Sequence, residues 1–503
     1  MKLDIKLLLA LLLFVTACSD DFLDADPDRY LSSDRADELL KTNPEKITEG
    51  YLLGMYYDLF KYRDSHDDFG LRAMMLATDM MTDDIAYNIT QWFNYDYQLD
   101  NRGAPYRRPR STWRTMYDGI RGANTVIGLI KPQDGVELEN AVSRNAIGQA
   151  YTARAYFYFW LINMYQHPYQ WNKDAPGVPI ITEDEMKLAR QPVKDVYDLI
   201  LSDIDKGYNY LKGTNSASGR LNQYAAAAIY AKVLSFVSDY PNQWQEVVKY
   251  ADIAIDGVPL MTADELAGFG FNTVSGNKNE VLWGALISTE TNTFYASFMS
   301  HIDADAGGYG GALGQYKEPT SELFEAVSAQ EGDVRQMWFE ERLINGEEVD
   351  ENGDPIKVSR DPKLYVNKKF RDVGGFESDY IYLRVAEMHY LKAEALYLDG
   401  KEGEAKAALE TIMQARMAGY TCTKSGDELM SEIDLQKRID MWGEGTRLFD
   451  FKRRNQSIDR TGSENHRPNV IMNVPANDNL LVYRIPQVEV DANDEIDQDD
   501  QNP

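Results

Sequence analysis

Cysteine and histidine are scarce in this chain, and their scarcity argues against several kinds of site. The 503 residues include two cysteines and five histidines, and no two histidines stand at a metal-ligand spacing. No nucleophile elbow, phosphate-binding loop or zinc motif is present. The chain has 81 carboxylate side chains, so finding two of them at a glycosidase-like separation would not identify an active site. We therefore predict a protein that is not an enzyme and that holds no cofactor and no metal.

Positive charge and long apolar runs are also in short supply. Lysine and arginine number 52 against 81 acidic residues, which gives a net charge of -29. Such a field repels phosphate backbones, so we predict no nucleic-acid partner. After the N-terminus, no apolar run reaches the roughly 20 residues that a membrane-spanning helix needs.

The first 35 residues predict an exported, lipid-anchored protein. A short apolar run after two early lysines is typical of a secretory signal. The stretch Val15-Thr16-Ala17-Cys18 resembles a bacterial lipobox, with valine where leucine is usual. This implies a signal peptide over residues 1–17 and lipid attachment at Cys18, with residues 18–35 as anchor and tether. Ser19-Asp20-Asp21 resembles the acidic export signal of surface lipoproteins in Bacteroidota. The alternative is a secreted protein whose cysteine is incidental.

Helical periodicity predicts the fold class. In 380–419, apolar residues recur at steps of three and four, break at Asp399-Gly400-Lys401 and then resume, which gives a hairpin with the 34-residue tetratricopeptide (TPR) period. Similar pairs occur at 112–130 with 141–165 and at 196–211 with 222–237, followed by 244–256. We predict a mainly α protein with about four TPR-like pairs. Residues 36–257 and 380–490 form its helical scaffold within one domain.

The region 258–379 interrupts this scaffold. Glycine and polar residues dominate there, so we predict a loop-rich variable insert with a few short strands, one of them in 280–288 and a hairpin in 347–359. Asp350, Asn352, Asp354 and Asp361 loosely imitate a calcium loop, but Pro355 replaces the required glycine. The acidic tail 491–503 is predicted to be disordered.

The stretch 83–103 is the first candidate binding loop. It sets Tyr87, Trp92 and Tyr95 among Asp, Asn and Gln side chains, including Asn94. An aromatic ring covers the C–H face of a sugar while amides and carboxylates bond its hydroxyls, so this mixture favours glycan binding. Extended peptides can use the same surface. The alternative is that the loop merely packs on the scaffold.

A second candidate stretch is 289–316. Glycines 307, 308, 310 and 311 permit unusual backbone angles, and Tyr295, Phe298 and Tyr309 are the rings that such a loop can present to a ligand. Docking of this loop on the scaffold is the alternative. The charged and aromatic motif 438–454 is interpreted as structural, with ion pairs and Trp442, Phe449 and Phe451 fastening the last helix.

In order along the chain, several motifs resemble those of the SusD/RagB family of outer-membrane nutrient-binding lipoproteins. They are CSDDFLDADP (18–27), GMYYDL (54–59), WRTMYDGIRGAN (113–124), ARAYFYFWLINMY (153–165), PGVPII (176–181), YIYLRVAEMHYLKAEAL (380–396), RIDMWGEGTRLFDFKR (438–453) and IPQVEVDAN (485–493). Gln166-His167 stands where a glycine often follows the tyrosine.

The resemblance implies a TPR-containing fold that captures an oligosaccharide at the cell surface without catalysis. It also implies a partner, a SusC-like TonB-dependent transporter that this protein covers as a lid, and an outer-membrane position held by the lipid anchor. Two alternatives share the fold and partner: a peptide-binding protein, and a structural lid without a ligand site of its own. A glycoside hydrolase is the enzymatic alternative.

Overall fold

A computed structural model describes residues 38–39, 42–132, 138–214, 217–276, 278–342 and 364–503. Several predictions lie outside these residues. They are the signal peptide (1–17), the lipid site Cys18, most of the tether and the anchor (18–35), the hairpin (347–359) and the calcium-like loop (350–361).

The described residues form sixteen α-helices, which confirms the mainly α class. In chain order they are α1 (Pro44–Asp58), α2 (Leu71–Met80), α3 (Asn94–Tyr97), α4 (Arg107–Ile130), α5 (Ala141–Tyr165), α6 (Val193–Leu211), α7 (Gln223–Leu234), α8 (Gln243–Ile255), α9 (Ala263–Gly268), α10 (Phe298–Ile302), α11 (Ser321–Ser328), α12 (Val385–Leu398), α13 (Glu402–Arg416), α14 (Asp427–Asp440), α15 (Arg447–Arg454) and α16 (Gln487–Val490). Two 3₁₀ helices span Val334–Trp338 and Asn479–Leu481.

Ten short strands make five two-stranded antiparallel sheets. The strands are β1 (Ile85–Tyr87), β2 (Ile180–Ile181), β3 (Met186–Lys187), β4 (Val281–Ala285), β5 (Lys317–Pro319), β6 (Phe339–Arg342), β7 (Leu364–Asn367), β8 (Tyr380–Arg384), β9 (Ile458–Asp459) and β10 (Asn473–Val474). The pairs are β1–β5, β2–β3, β4–β8, β6–β7 and β9–β10.

Eight helices stack side by side to form the scaffold. The order of contact is α1, α4, α5, α6, α7, α8, α12 and α13, so the insert leaves the stack after α8 and the chain rejoins it at α12. Helices α5 and α7 begin at asparagine caps: Asn140 accepts the N–H groups of Val142 and Ser143, and Asn222 accepts those of Tyr224 and Ala225. The most extensive contacts join α5 with α6, α4 with α5 and α7 with α8, so the predicted pair α4 with α5 is present, whereas the predicted contact of α6 with α7 is smaller than the contacts on either side of it.

The predicted helix over 380–396 needs one correction. Its first five residues form β8, which pairs with β4, and the helix begins at Val385. Both strands are buried along their whole length, which suits their aromatic and aliphatic composition. The prediction of a strand in 280–288 is confirmed.

The C-terminal motif 438–454 fastens α14 and α15 to the scaffold, as predicted. Arg447 pairs with Asp83 at 2.9 Å, Arg438 pairs with Asp84 at 2.7 Å, and Trp442 is buried with its indole N–H on the Asp84 carbonyl. These partners lie more than 350 residues earlier in the chain. The motif therefore closes the N-terminal and C-terminal parts of the fold onto each other.

The prediction of a disordered tail is wrong. The Asn502 amide donates to the carbonyls of Tyr165 and Tyr483, and Arg190 donates to the Asn502 side chain. Ile496 is buried. A polar tail orders here because its amides satisfy buried carbonyl groups that would otherwise lack partners. None of the helices in the described part of the chain combines the length and the apolar character needed to cross a bilayer.

Candidate functional site

A short sheet brings the two candidate loops together. Strand β1 opens the first loop, β5 follows the second, and Tyr87 pairs with Lys317 in their register. Beyond the sheet, the Asn88 side chain donates to the Gly314 carbonyl at 2.9 Å. Two stretches about 200 residues apart in sequence thus form one surface.

The glycines of the second loop serve close packing rather than unusual backbone angles. None of Gly307, Gly308, Gly310 and Gly311 has a positive φ. A Cβ on Gly308 would lie 2.6 Å from the Ser300 Cα, and one on Gly311 would lie 2.2 Å from a backbone oxygen. The loop folds tightly on α10, and this packing fixes the position of Tyr309.

Six rings form a connected surface that we name the aromatic ledge. Its members are Tyr62, His66, Trp92, Tyr295, Tyr309 and Phe376. His66 stacks on Trp92 with centroids 5.7 Å apart and an interplanar angle of 19°. Tyr309 lies 6.1 Å from Trp92 and 6.0 Å from Tyr295, and Tyr295 lies 6.0 Å from Phe376. Rings from four separate loops therefore follow one another across the surface.

The ledge is open to solvent along much of its length. Tyr62 is 43% exposed and Tyr295 is 50% exposed, while His66, Trp92 and Tyr309 are half-buried. Phe294, next to Tyr295, is 64% exposed. Exposed neighbouring rings are costly in water, so this surface is suited to a ligand that covers them.

The structure separates the other sequence candidates from the ledge. Tyr87 and Phe298 are buried and pack in the core, so neither presents a ring face to a ligand. Tyr95 is exposed but stacks on Tyr106 at 6.1 Å. The Asn94 side chain is hydrogen bonded to Gln98 and to Arg467. Of the seven candidates, the structure joins Trp92, Tyr295 and Tyr309.

Three ledge residues were missed from the sequence. Tyr62 and His66 lie in the turn before α2, and Phe376 lies in the turn before β8. The stretch KYRDSHDDFG (61–70) mixes rings with carboxylates, which is the same signal that 83–103 carries. Phe376 has a positive φ of 58° in a glycine-rich turn, and nothing local in the sequence marks it.

Buried polar groups support the ledge from beneath. His301 stacks on Tyr309 at 4.7 Å, and its Nε2 donates to the His66 carbonyl at 2.8 Å. Burial holds the pKa of His301 well below its ordinary value, so the ring is neutral. The Nδ1 of His66 lies 2.6 Å from the Tyr309 hydroxyl. These contacts fix the ring of Tyr309 before any ligand arrives.

Strand β5 carries two buried ionisable residues that point to opposite faces. Burial lowers the pKa of Lys317 to about 7 and raises the pKa of Glu318 to about 8. Glu318 accepts the Tyr365 N–H at 2.9 Å, and none of the described residues forms an ion pair with it. Its carboxyl group is therefore neutral in the folded protein at pH 7.

Glu318→Gln is expected to stabilise the protein increasingly as pH rises from 5 to 8. A raised folded-state pKa gives stability that is present below about pH 4.5 and lost as pH rises through 8, and glutamine avoids that loss. Urea unfolding should show a gain of about 2 kcal/mol or more at pH 8 relative to pH 5. The matched control is Glu325→Gln, at an exposed position of α11. An equal gain at both pH values would contradict the assignment.

A large cavity lies elsewhere, along the outer face of α4. It has a volume of about 990 Å³ and is lined by Trp113, Tyr117 and a row of arginines, Arg110, Arg114 and Arg121. Trp113 is buried, so the groove offers fewer open rings than the ledge. The ion pair of Arg110 with Asp64 lies at the end nearest the ledge. Within the described ranges, no three His, Cys, Asp or Glu side chains are placed to share a metal ion.

Comparison with known proteins identifies the family. The family model described as "Starch-binding associating with outer membrane" (SusD-like) matches residues 21–234, and that of the SusD family (SusD_RagB) matches residues 330–503. A SusD-like protein of Bacteroides ovatus is 24% identical over 256 residues, which cover 48% of this chain and 41% of that protein. This chain thus spans less than half of that relative.

Solved structures show the same fold. A SusD-like carbohydrate-binding protein of Bacteroides vulgatus has a TM-score of 0.75 and 22% identity, covering 91% of this chain and 98% of that one. Surface glycan-binding protein A of Bacteroides uniformis has a TM-score of 0.63 and 18% identity, covering 91% and 99%. At this identity the likeness establishes the fold alone. With both family models matching in chain order, the chain belongs to the SusD/RagB family.

Proposed function

We propose that this protein captures oligosaccharides on the aromatic ledge and passes them to a SusC-like TonB-dependent transporter. In this proposal it acts without catalysis, on the outer face of the outer membrane, anchored through Cys18. The observation that carries the proposal is the ledge itself, because rings from four loops are held in one row that is partly open to solvent. The matching family model, described as starch-binding and associating with the outer membrane, supports the same ligand class.

The geometry of the ledge suits a chain of sugar rings better than a compact ligand. Pyranose rings present flat C–H faces, and Tyr62 and Tyr295 at separate positions offer open rings to them. The exposed side chain of Gln91, next to Trp92 in the sequence, carries an amide that is able to bond hydroxyl groups. An open surface also tolerates polymers whose ends extend beyond the site.

Modest affinity is sufficient for this role. A dissociation constant between micromolar and millimolar corresponds to about 4–8 kcal/mol of binding free energy. Tethering beside a transporter raises the effective concentration of captured ligand, so a weak site still increases uptake. The stacked helices α4 to α8 provide the rigid face that the transporter would contact in this proposal.

Trp92→Ala is expected to weaken glycan binding by about tenfold or more, because it removes a ledge ring and leaves His66 without its stacking partner. Native affinity electrophoresis of the chain from Ser19 onward, through gels containing plant, microbial and host glycans, measures this directly. Trp171→Ala is the matched control, since Trp171 is 57% exposed and lies outside the ledge. Retardation by one glycan that is lost with Trp92→Ala alone supports the proposal.

Three results would contradict it. If no glycan retards the protein while casein peptides bind to it, peptide binding is favoured. Retardation that survives Trp92→Ala would place the glycan away from the ledge. Depletion of a bound oligosaccharide over time would point to a hydrolase.

A further inference from the structure

Cations surround the loop that holds Trp92, although the chain as a whole carries a net charge of -29. Five cationic side chains have their charged atoms 4.7–5.8 Å from ring centroids of this loop. They are Arg107, Arg108, Lys317, Arg460 and Arg467. In the described part of the chain, two carboxylates lie within ion-pair distance of the five, Asp67 and Asp96. Positive charge is therefore in excess at this end of the ledge.

Arg107 is the member of this group that reaches solvent beside the ledge. Its side chain is 38% exposed, and its guanidinium carbon lies 5.8 Å from the centroid of Trp92. A single nitrogen, Nη2, donates to Asp67, at 2.8 and 2.9 Å. Among the described residues, its Nε and Nη1 have no partner. Half of the guanidinium fork thus remains available to an incoming ligand.

Asp67 does not neutralise Arg107 completely. The same carboxylate also accepts Arg108, from Nη2 at 3.3 Å, and the Ser65 hydroxyl. Burial alone would raise the pKa of Asp67, but Arg108 and Arg107 outweigh it and hold that pKa below its ordinary value. Arg108 is balanced mainly by Asp96, which accepts from its Nε and Nη2 at 3.0 Å, so Arg107 keeps Asp67 as its partner and offers a second anion its two unbonded atoms, Nε and Nη1.

There is room for a ligand group beside Arg107. A cavity of about 110 Å³ opens there, lined by Tyr95, Tyr106, Asn101 and Arg107 and also by Phe93 and by Arg108 with the carboxylates Asp67 and Asp96. The Oδ1 of Asn101 is buried in its wall without a partner among the described residues. A sugar substituent entering this cavity meets a guanidinium edge for an anion and an amide oxygen for a hydroxyl group.

We propose that the glycan bound on the ledge is acidic, and that Arg107 binds its carboxylate or sulfate group next to Trp92. This rests on the proposed function of the ledge. Carboxylates and sulfates both present paired oxygens that match the guanidinium fork, and such charge-assisted bonds are the strong ones. Among the described residues, Asp67 is the carboxylate hydrogen bonded to Arg107, and it engages Nη2 alone, so Nε and Nη1 are left for the anion of the ligand.

The test compares acidic glycans with neutral counterparts of the same linkage. The probes are polygalacturonate against its carboxyl-reduced form and carrageenan against its desulfated form, each measured by affinity electrophoresis and titration calorimetry with the chain from Ser19 onward. We expect one acidic member to bind at least about tenfold more tightly than its neutral counterpart. The pair that shows this difference tells carboxylate from sulfate.

The variant Arg107→Gln should abolish this preference, while Arg107→Lys should retain part of it because the charge remains. The matched control is Arg121→Gln, which removes an arginine about 21 Å further along α4 and is expected to change nothing. Thermal unfolding of each variant reports whether it is folded. If Arg107→Gln does not fold, the affinities of the unmodified chain for each acidic glycan and its neutral counterpart still test the inference.

Two outcomes overturn the inference, and they differ in whether they also contradict the proposed function. Equal or tighter binding of the neutral counterpart, still lost with Trp92→Ala, contradicts the role of Arg107 and leaves the ledge as a neutral-glycan site. An absence of binding to every acidic and neutral glycan contradicts both the inference and the proposed function.

Discussion

Asp440→Asn is expected to lower the free energy of unfolding by about 3–5 kcal/mol. Asp440 is fully buried and accepts Nη2 of Arg384 at 3.0 Å, Nε of Arg416 at 2.6 Å and the Tyr390 hydroxyl at 2.9 Å. Burial alone would raise its pKa, but Arg416 and Arg384 outweigh burial and hold that pKa far below its ordinary value. Removing this charge leaves guanidinium groups partly uncompensated in the core, which is why the expected loss is large.

Urea unfolding at pH 7 measures this effect, and Asp239→Asn is the control. Asp239 pairs with Lys173 at 2.8 Å, but both side chains are about half exposed, so its replacement should be too small to measure. A depressed pKa gives stability that is present above about pH 4 and lost as pH falls, so the difference from the unmodified chain should shrink below pH 4. A loss for Asp440→Asn as small as the control would mean that the other carboxylate, Glu280, suffices for both arginines.

Replacing Tyr295 and Tyr309 together by alanine is expected to weaken glycan binding by about 100-fold, since each well-placed ring contributes roughly tenfold. Tyr295 is half exposed, and Tyr309 is fixed from below by His301 and from the side by His66. Together they form the middle of the ledge, so their loss separates Phe376 from the rings of Trp92, His66 and Tyr62. Titration calorimetry with the glycan identified by electrophoresis gives the affinities.

Tyr295→Phe is the conservative control for this pair, because it keeps the ring and removes the hydroxyl. Its affinity should remain within about threefold of the unmodified chain, which corresponds to less than 1 kcal/mol. If the phenylalanine variant loses as much affinity as the alanine pair, the ligand is held by hydrogen bonds to the hydroxyl rather than by ring contact.

The helices of the scaffold were predictable because burial imposes a 3.6-residue period on them. The predicted segments 141–165 and 244–256 match α5 and α8 to within one residue. The period could not tell Tyr380–Arg384 from the first turn of α12, since a strand buried on both faces has no alternation to read. That ambiguity was resolved by pairing with β4, a contact across about 100 residues.

The composition of the two candidate loops indicated a binding surface, but the contact between the two loops could not be predicted from the sequence. Strands β1 and β5 have three residues each, too few to carry a pattern, and their pairing depends on the rest of the fold. Burial separated Tyr87 from Trp92 although they lie five residues apart in one polar stretch. Arg107 was missed because its importance follows from its position over Trp92 rather than from its neighbours in sequence.

The measurement that tests the central claim most directly is a crystal structure with a bound oligosaccharide of the glycan found by electrophoresis. If the ledge binds the ligand, sugar rings will lie within van der Waals contact of Tyr295, Tyr309 and Tyr62. Trp92 and His66 lie between these tyrosines in the same row. An oligosaccharide seated in the groove along α4, with the ledge uncovered, would contradict it.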